Sequence, residues 1–174
     1  MLRKFARLRR DRFKGNILNA KTIGLVWDAS NPNDFQAISQ FFQKMQERDI
    51  NVTVIGYYPD KIIPDRLTAI RYLTLLKRDD LDFFYKPVSR DAEEFLRKKF
   101  DILIDINPKN VFALQYLSYL SLAGMKVGIF DSNFENHPFD LMLQLGKNSD
   151  PVTYLTQAVH YLEKVNTTKV EKVQ

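Results

Sequence analysis

Residues 101–131 read DILIDINPKNVFALQYLSYLSLAGMKVGIFD. Ile102, Leu103, Ile104 and Ile106 make a short apolar run closed by polar residues, which predicts a buried strand. VFALQYLSYLSLAG follows as a helix, with Gly124 as its C-terminal stop. MKVGIFD then returns as a second strand. Strand, helix and strand in this order form a βαβ unit, so the two strands should lie parallel in one sheet.

The pattern extends in both directions. Upstream, KTIGLVWDAS (21–30) carries Ile23, Leu25, Val26 and Trp27 and reads as a strand. Asn31 is a helix N-cap, with Pro32 at the first helical position and Asp34 at the positive helix end. Phe35, Ile38, Phe41, Phe42 and Met45 then recur at helical spacing. INVTVIGYY (50–58) is a strand rich in β-branched residues. Residues 65–85 fit either a helix or a helix with a short strand, and DLDFFYKP (80–87) predicts a short strand. SRDAEEFLRKKF (89–100) is a helix. Downstream, FDLMLQL (139–145) is a strand. SDPVTYLTQAVHYLEKV (149–165) is a helix capped by Asp150, with Pro151 in its first turn. The expected fold is α/β: a three-layer Rossmann-like sandwich of five or six mainly parallel strands with helices on both faces. The expected boundaries are a basic arm at 1–20, one domain at 21–166 and a polar tail at 167–174.

Charge separates the arm from the body. The 174 residues include 26 Lys and Arg against 21 Asp and Glu, a formal charge of +5. Residues 1–15 hold seven of the basic residues and only Asp11 against them, so the body is close to neutral. There is no cysteine, which excludes disulfides and thiolate chemistry. The two histidines, His137 and His160, exclude a multi-histidine metal site. No apolar run approaches the ~20 residues that cross a bilayer, and no apolar stretch follows the arm as in a secretory signal. A cytoplasmic protein, or one peripheral to the inner membrane, is the expectation.

In an open α/β sheet, ligands bind beyond the carboxyl ends of the strands. Those ends supply Asp28, Ser30 and Asn31; then Asp105, Asn107, Lys109 and Asn110; then Asp131, Asn133, Glu135, Asn136 and His137. Asp28, Ser30, Asn31, Asp105, Asn107 and Asp131 are the candidate pocket residues. Three converging aspartates could hold Mg²⁺ and through it a phosphate. The same residue types also end strands and cap helices simply by satisfying free backbone groups. His137 reads as a solvated loop residue and His160 as a partly buried structural one. No G-x-G-x-x-G, Walker loop, D-x-D or G-x-S-x-G is present. No cofactor, metal or catalytic residue is assigned.

Placed on a helix, Met1, Leu2, Phe5, Ala6, Leu8, Phe13 and Ile17 share one half of the arm, and Arg9 and Arg12 intrude on it. Arg3, Lys4, Arg7, Arg10 and Lys14 share the other half. Such a segment can bind RNA phosphates through its guanidinium groups. It can also lie on an anionic membrane, or pack on its own body or a second copy. The leading expectation is a non-enzymatic adaptor. It would dock on RNA or a ribosomal particle through Arg3, Lys4, Arg7, Arg9, Arg10, Arg12 and Lys14. One alternative is a peripheral membrane protein using the same arm. The other is a small phosphate- or sugar-handling enzyme built on the strand-end carboxylates. The oligomeric state is left open.

Two resemblances accompany these readings. A basic start followed by KTIGLVWDAS, DFFYKP, FDILIDIN, LAGMKVGIFD and DLMLQL…YLTQAVHYL resembles a family of bacterial α/β proteins of unknown function. The stretch 100–131 is also similar to part of the N-terminal domain of heptosyltransferase-like GT-B glycosyltransferases, where a strand ending in Asp leads into a helix and a short strand. That likeness implies a Rossmann-like fold. Those enzymes use a second domain to bind the sugar nucleotide, so it implies no sugar transfer by this chain alone.

Overall fold

A computed structural model describes residues 9–132, 137–146 and 150–165. Its strands are β1 (Thr22–Asp28), β2 (Asn51–Tyr57), β3 (Leu73–Leu76), β4 (Ile102–Ile106), β5 (Met125–Ile129) and β6 (Leu141–Leu143). Its helices are α1 (Phe35–Gln46), α2 (Asp65–Thr68), α3 (Arg90–Arg97), α4 (Phe112–Leu120) and α5 (Pro151–Lys164). The sheet order is β3-β2-β1-β4-β5-β6, and every pair is parallel. The chain therefore runs outward from β1 to one edge, crosses back and runs outward from β4 to the other. β1 and β4 flank the switch point.

Alternation along the strands sends side chains to two cores. Ile23, Leu25 and Trp27 of β1 join Ile102, Ile104, Met125 and Val127 under α1 and α5. Val26, Ile55 and Leu103 point the other way, against Ala92 and Phe95 of α3 and Leu114 and Leu117 of α4. Helices thus cover both faces, as an all-parallel sheet requires. Ser89 and Asp150 cap α3 and α5 through the N–H groups of Ala92 and Thr153.

Four expectations need correction. Residues 9–20 form no helix. Phe13 N–H donates to the Gly124 carbonyl at 3.1 Å, Ile17 N–H donates to Leu162, and Ile17 and Ala20 are buried in the first core. The half-apolar periodicity of the arm reflects insertion of single side chains into the body. Residues 1–8, with Arg3, Lys4 and Arg7, lie outside the described residues, as does the tail 167–174. DLDFFYKP is a turn, not a strand: only one bridge, Leu81 to Pro87, joins its ends. Helix α4 stops at Leu120, and Gly124 is not its cap. Gly124 instead permits close approach, because a Cβ there would stand 2.6 Å from the Phe13 Cβ. His160 is exposed.

Candidate functional site

A cavity of about 130 Å³ opens at the carboxyl ends of β4 and β5. Its floor is Asp105, 3% exposed, which faces α4. The Ser118 hydroxyl donates to the Asp105 carboxyl at 2.5 Å. Burial pushes that carboxyl up to about 7, with the Ser118 bond opposing the shift. Below pH 7 the group is largely a neutral acid that can donate as well as accept. From the other face of the sheet, the Tyr154 hydroxyl donates to the Asp105 carbonyl at 2.9 Å. Burial, and then the nearby Asp105, raise the Tyr154 phenol well above its ordinary value.

The walls are polar on one side and aromatic on the other. Gln115 and Ser118 lie three residues apart on α4 and so share one face of that helix. Asn107 lines the cavity but is committed to the start of α4: it accepts from Val111 N–H at 2.8 Å and donates to the Val111 carbonyl at 3.0 Å. Asn110, left-handed with φ 54°, donates to Asp131 at 2.9 Å. His137 stacks on Phe139 with its ring nearly parallel, 8° apart. Its Nδ1 is buried with no partner among the described residues. Phe139 lies against Gly128, where even a methyl group would overlap the ring.

The structure therefore splits the six strand-end candidates. Asp105, Asn107 and Asp131 line one cavity. Asp28, Ser30 and Asn31 lie elsewhere, at and just past the end of β1. Asp28 accepts from Ser30 N–H at 3.0 Å, Asn31 caps the turn that precedes α1, and Lys109 donates to the Ser30 hydroxyl at 2.6 Å. Burial, followed by Asp28 and Asp150, raises the Asp34 carboxyl there, with Lys109 opposing. Among the described residues, no group of three or more His, Asp or Glu is placed to hold a metal ion. Gln115 and Ser118 join the site without having been selected from sequence, and His137, a strand-end residue read as solvated, is instead half-buried in the cavity wall. Gln115 and Ser118 were visible as two polar residues at helical spacing within FALQYLSYL.

At the opposite, amino end of β5, Asp140 gathers the arm. Arg10 reaches both of its carboxylate oxygens at 2.6 Å and also the Ala123 and Gly124 carbonyls at 2.7 and 3.0 Å. Arg12 pairs with the same carboxylate, and Lys126 N–H donates to it at 2.8 Å. Partial burial would raise Asp140, but these donors outweigh it and hold the carboxyl below its ordinary range. The Lys126 side chain is buried and donates to the Ser118 and Tyr119 carbonyls near the end of α4. Burial, then Arg10, lowers its ammonium to about 7, Asp140 opposing. Of the arm cations described, Arg9, Arg12 and Lys14 are exposed, Arg12 while paired with Asp140.

The switch-point sheet with a cavity beyond its strand ends defines a Rossmann-like α/β domain. The chain belongs to a family of unknown function, DUF6913, whose model matches residues 2–165. No curated protein matches it in sequence. In structure it is similar to the Escherichia coli heptosyltransferase WaaC with ADP, at a TM-score of 0.51 and 12% identity. That match covers 81% of this chain and 46% of WaaC, so the chain spans about half of the enzyme's length. At that identity the likeness concerns the fold. Among the described residues, no helix is long and apolar enough to cross a membrane.

Proposed function

We propose that the protein binds a small, uncharged ligand bearing hydroxyl or amide groups in the cavity floored by Asp105. The observation that carries this reading is the composition of one wall: a buried, largely neutral carboxyl beside Ser118, Gln115 and Asn110. Among the described lining residues there are two aspartates and no lysine or arginine. Such a wall gives an anion such as phosphate no cationic partner and offers donors and acceptors to a neutral group. Its volume is close to that of an engineered cavity that holds benzene, so the enclosed part of the ligand is about one six-membered ring. At a ceiling of roughly 1.5 kcal/mol per non-hydrogen atom, a ring of this size binds no tighter than about micromolar.

The test is a thermal-shift series with monosaccharides, cyclic polyols and cyclic amides, run beside inorganic phosphate and sulfate. Saturation near one hundred times Kd should add about 2.7 kcal/mol, and Ser118→Ala should reduce the gain. Protection by the anions alone would overturn the reading, as would a neutral series with no hit.

A second reading keeps the arm as a docking element for RNA, favoured by the exposure of Arg9 and Lys14. It has less to work with than the sequence implied, because Asp140 already engages Arg10 and Arg12. It predicts RNA retention that falls steeply with salt and is lost when removal of residues 1–8 is combined with Arg9→Gln and Lys14→Gln. Retention that is indifferent to those changes would end it.

A further inference from the structure

At the same end of the sheet, but over its other half, residues 81–88 form a tight projecting turn. Phe83 is 85% exposed, Phe84 66% and Tyr85 53%. None of the three joins either core. Their exposure is not the result of a loose chain. The Asp82 carboxylate accepts from Phe84 N–H at 2.8 Å and from Lys86 N–H at 2.9 Å. Asp82 N–H donates to Lys86, Tyr85 N–H to Asp82 and Val88 N–H to Asp80. Arg78 donates to the Leu81 and Asp82 carbonyls. The two phenylalanine rings meet edge to face, 5.5 Å apart. Tyr85 holds φ at 61°, a conformation that glycine or asparagine adopts far more readily than a bulky aromatic. A backbone strained to display aromatic rings in water is a reason to look for what receives them.

The charges around the rings indicate the receiver. The Arg78 guanidinium sits 4.5 Å from the centre of the Tyr85 ring, and the Lys86 ammonium 5.7 Å from that of Phe84. Residues 77–90 carry four cations, Lys77, Arg78, Lys86 and Arg90, against three acids, Asp79, Asp80 and Asp82. Asp80 and Asp82 are turned onto the backbone N–H groups of Lys77, Phe84 and Lys86. Cations therefore border the rings, and the segment keeps a net positive charge. Ile62, 84% exposed, lies in the loop after β2, and β2 and β3 end side by side with Tyr57 opposite Leu76. A projecting apolar tip with cations at its base needs no complementary pocket on a bilayer: the rings enter the acyl–headgroup boundary and the cations meet lipid phosphates.

We infer that the turn 81–88 docks the protein on an anionic lipid surface, with Phe83 and Phe84 inserted and Arg78 and Lys86 on the phosphates. This site is distinct from the arm and independent of the cavity reading. The test uses the full chain and vesicles of three parts phosphatidylcholine to one part phosphatidylglycerol. Trp27, 1% exposed, is the single tryptophan and gives a constant background, so Phe84→Trp adds a reporter at the tip. The expected results are co-sedimentation with these vesicles, a blue shift of the Phe84→Trp emission and weaker binding to pure phosphatidylcholine. Phe83→Ser with Phe84→Ser should weaken vesicle binding roughly tenfold or more with an unchanged circular dichroism spectrum. Arg78→Gln with Lys86→Gln should remove the preference for the anionic lipid. The inference is overturned by absence of sedimentation, by binding that survives the serine pair, by loss of binding on removal of residues 1–8, or by phenylalanine-dependent self-association in light scattering without lipid.

Discussion

Over β4, β5 and β6 the carboxyl end of the sheet closes on itself, and over β2 and β3 it does not. In the first half Phe139 folds down on Gly128, His137 stacks on Phe139, and the buried carboxyl of Asp105 lies beneath them. In the second half Phe83 and Phe84 stand in water on a turn closed by Asp82. Both halves contain aromatic side chains and one key aspartate, and the difference lies in how the aspartate is used. Asp105 is withdrawn from solvent and becomes a weak acid in a wall. Asp82 stays at the surface and binds backbone N–H groups, which fixes the shape of a loop. A carboxyl without backbone partners makes a site, and a carboxyl with them makes a scaffold.

The largest effect should come from removing the charge of Asp105. Its folded pKa of about 7 lies above the ordinary 3.8. Between those values the folded protein keeps a proton that the unfolded chain releases, so stability falls as pH rises through this window. Asp105→Asn should be worth a gain of the order of 4 kcal/mol above pH 7 and little near pH 4. Urea melts at the two pH values measure it, and an equal effect at both would break the contrast with Asp82. Gly128→Val comes next. The new side chain must displace Phe139, at a cost of about 1–3 kcal/mol, and ligand protection should vanish with it. Asp140→Asn should cost about 1 kcal/mol. It should also speed tryptic cleavage after Arg9, Arg10 and Arg12, as read by mass spectrometry. The smallest effect is a gain: Tyr85→Asn relieves left-handed strain and should stabilise by less than ~1 kcal/mol. A loss instead would show that the ring supports the turn after all.

The strands that build the centre of the sheet were legible because DILIDIN, KTIGLVWD and INVTVIGYY bury side chains on both faces and so carry near-continuous apolar runs. DLDFFYKP misled because aromatic residues favour strands, while the Asp82 side-chain bonds and the left-handed Tyr85 that end any strand there are local geometry. The arm misled in a related way. Its period fitted a helix, but Phe13 and Ile17 bond through their backbone N–H groups to Gly124 and Leu162, more than 100 residues away, while Ile17 and Ala20 are buried in the first core. The cavity was half visible. Strand-end position pointed to Asp105, Asn107 and Asp131, and equally to Asp28, which lies near Asp34 and Lys109 instead. Ser118 and Gln115 sit on a helix whose apolar face drew attention away from them.

The bond from Arg10 to Asp140 joins residues 130 positions apart. At about 5–20 residues per second, a ribosome needs roughly 6–26 s to deliver the second partner after the first. Throughout that interval Arg10 waits without its counter-ion, and its guanidinium is at its most available while the protein is being made. The clasp engages only after β5 has left the ribosome.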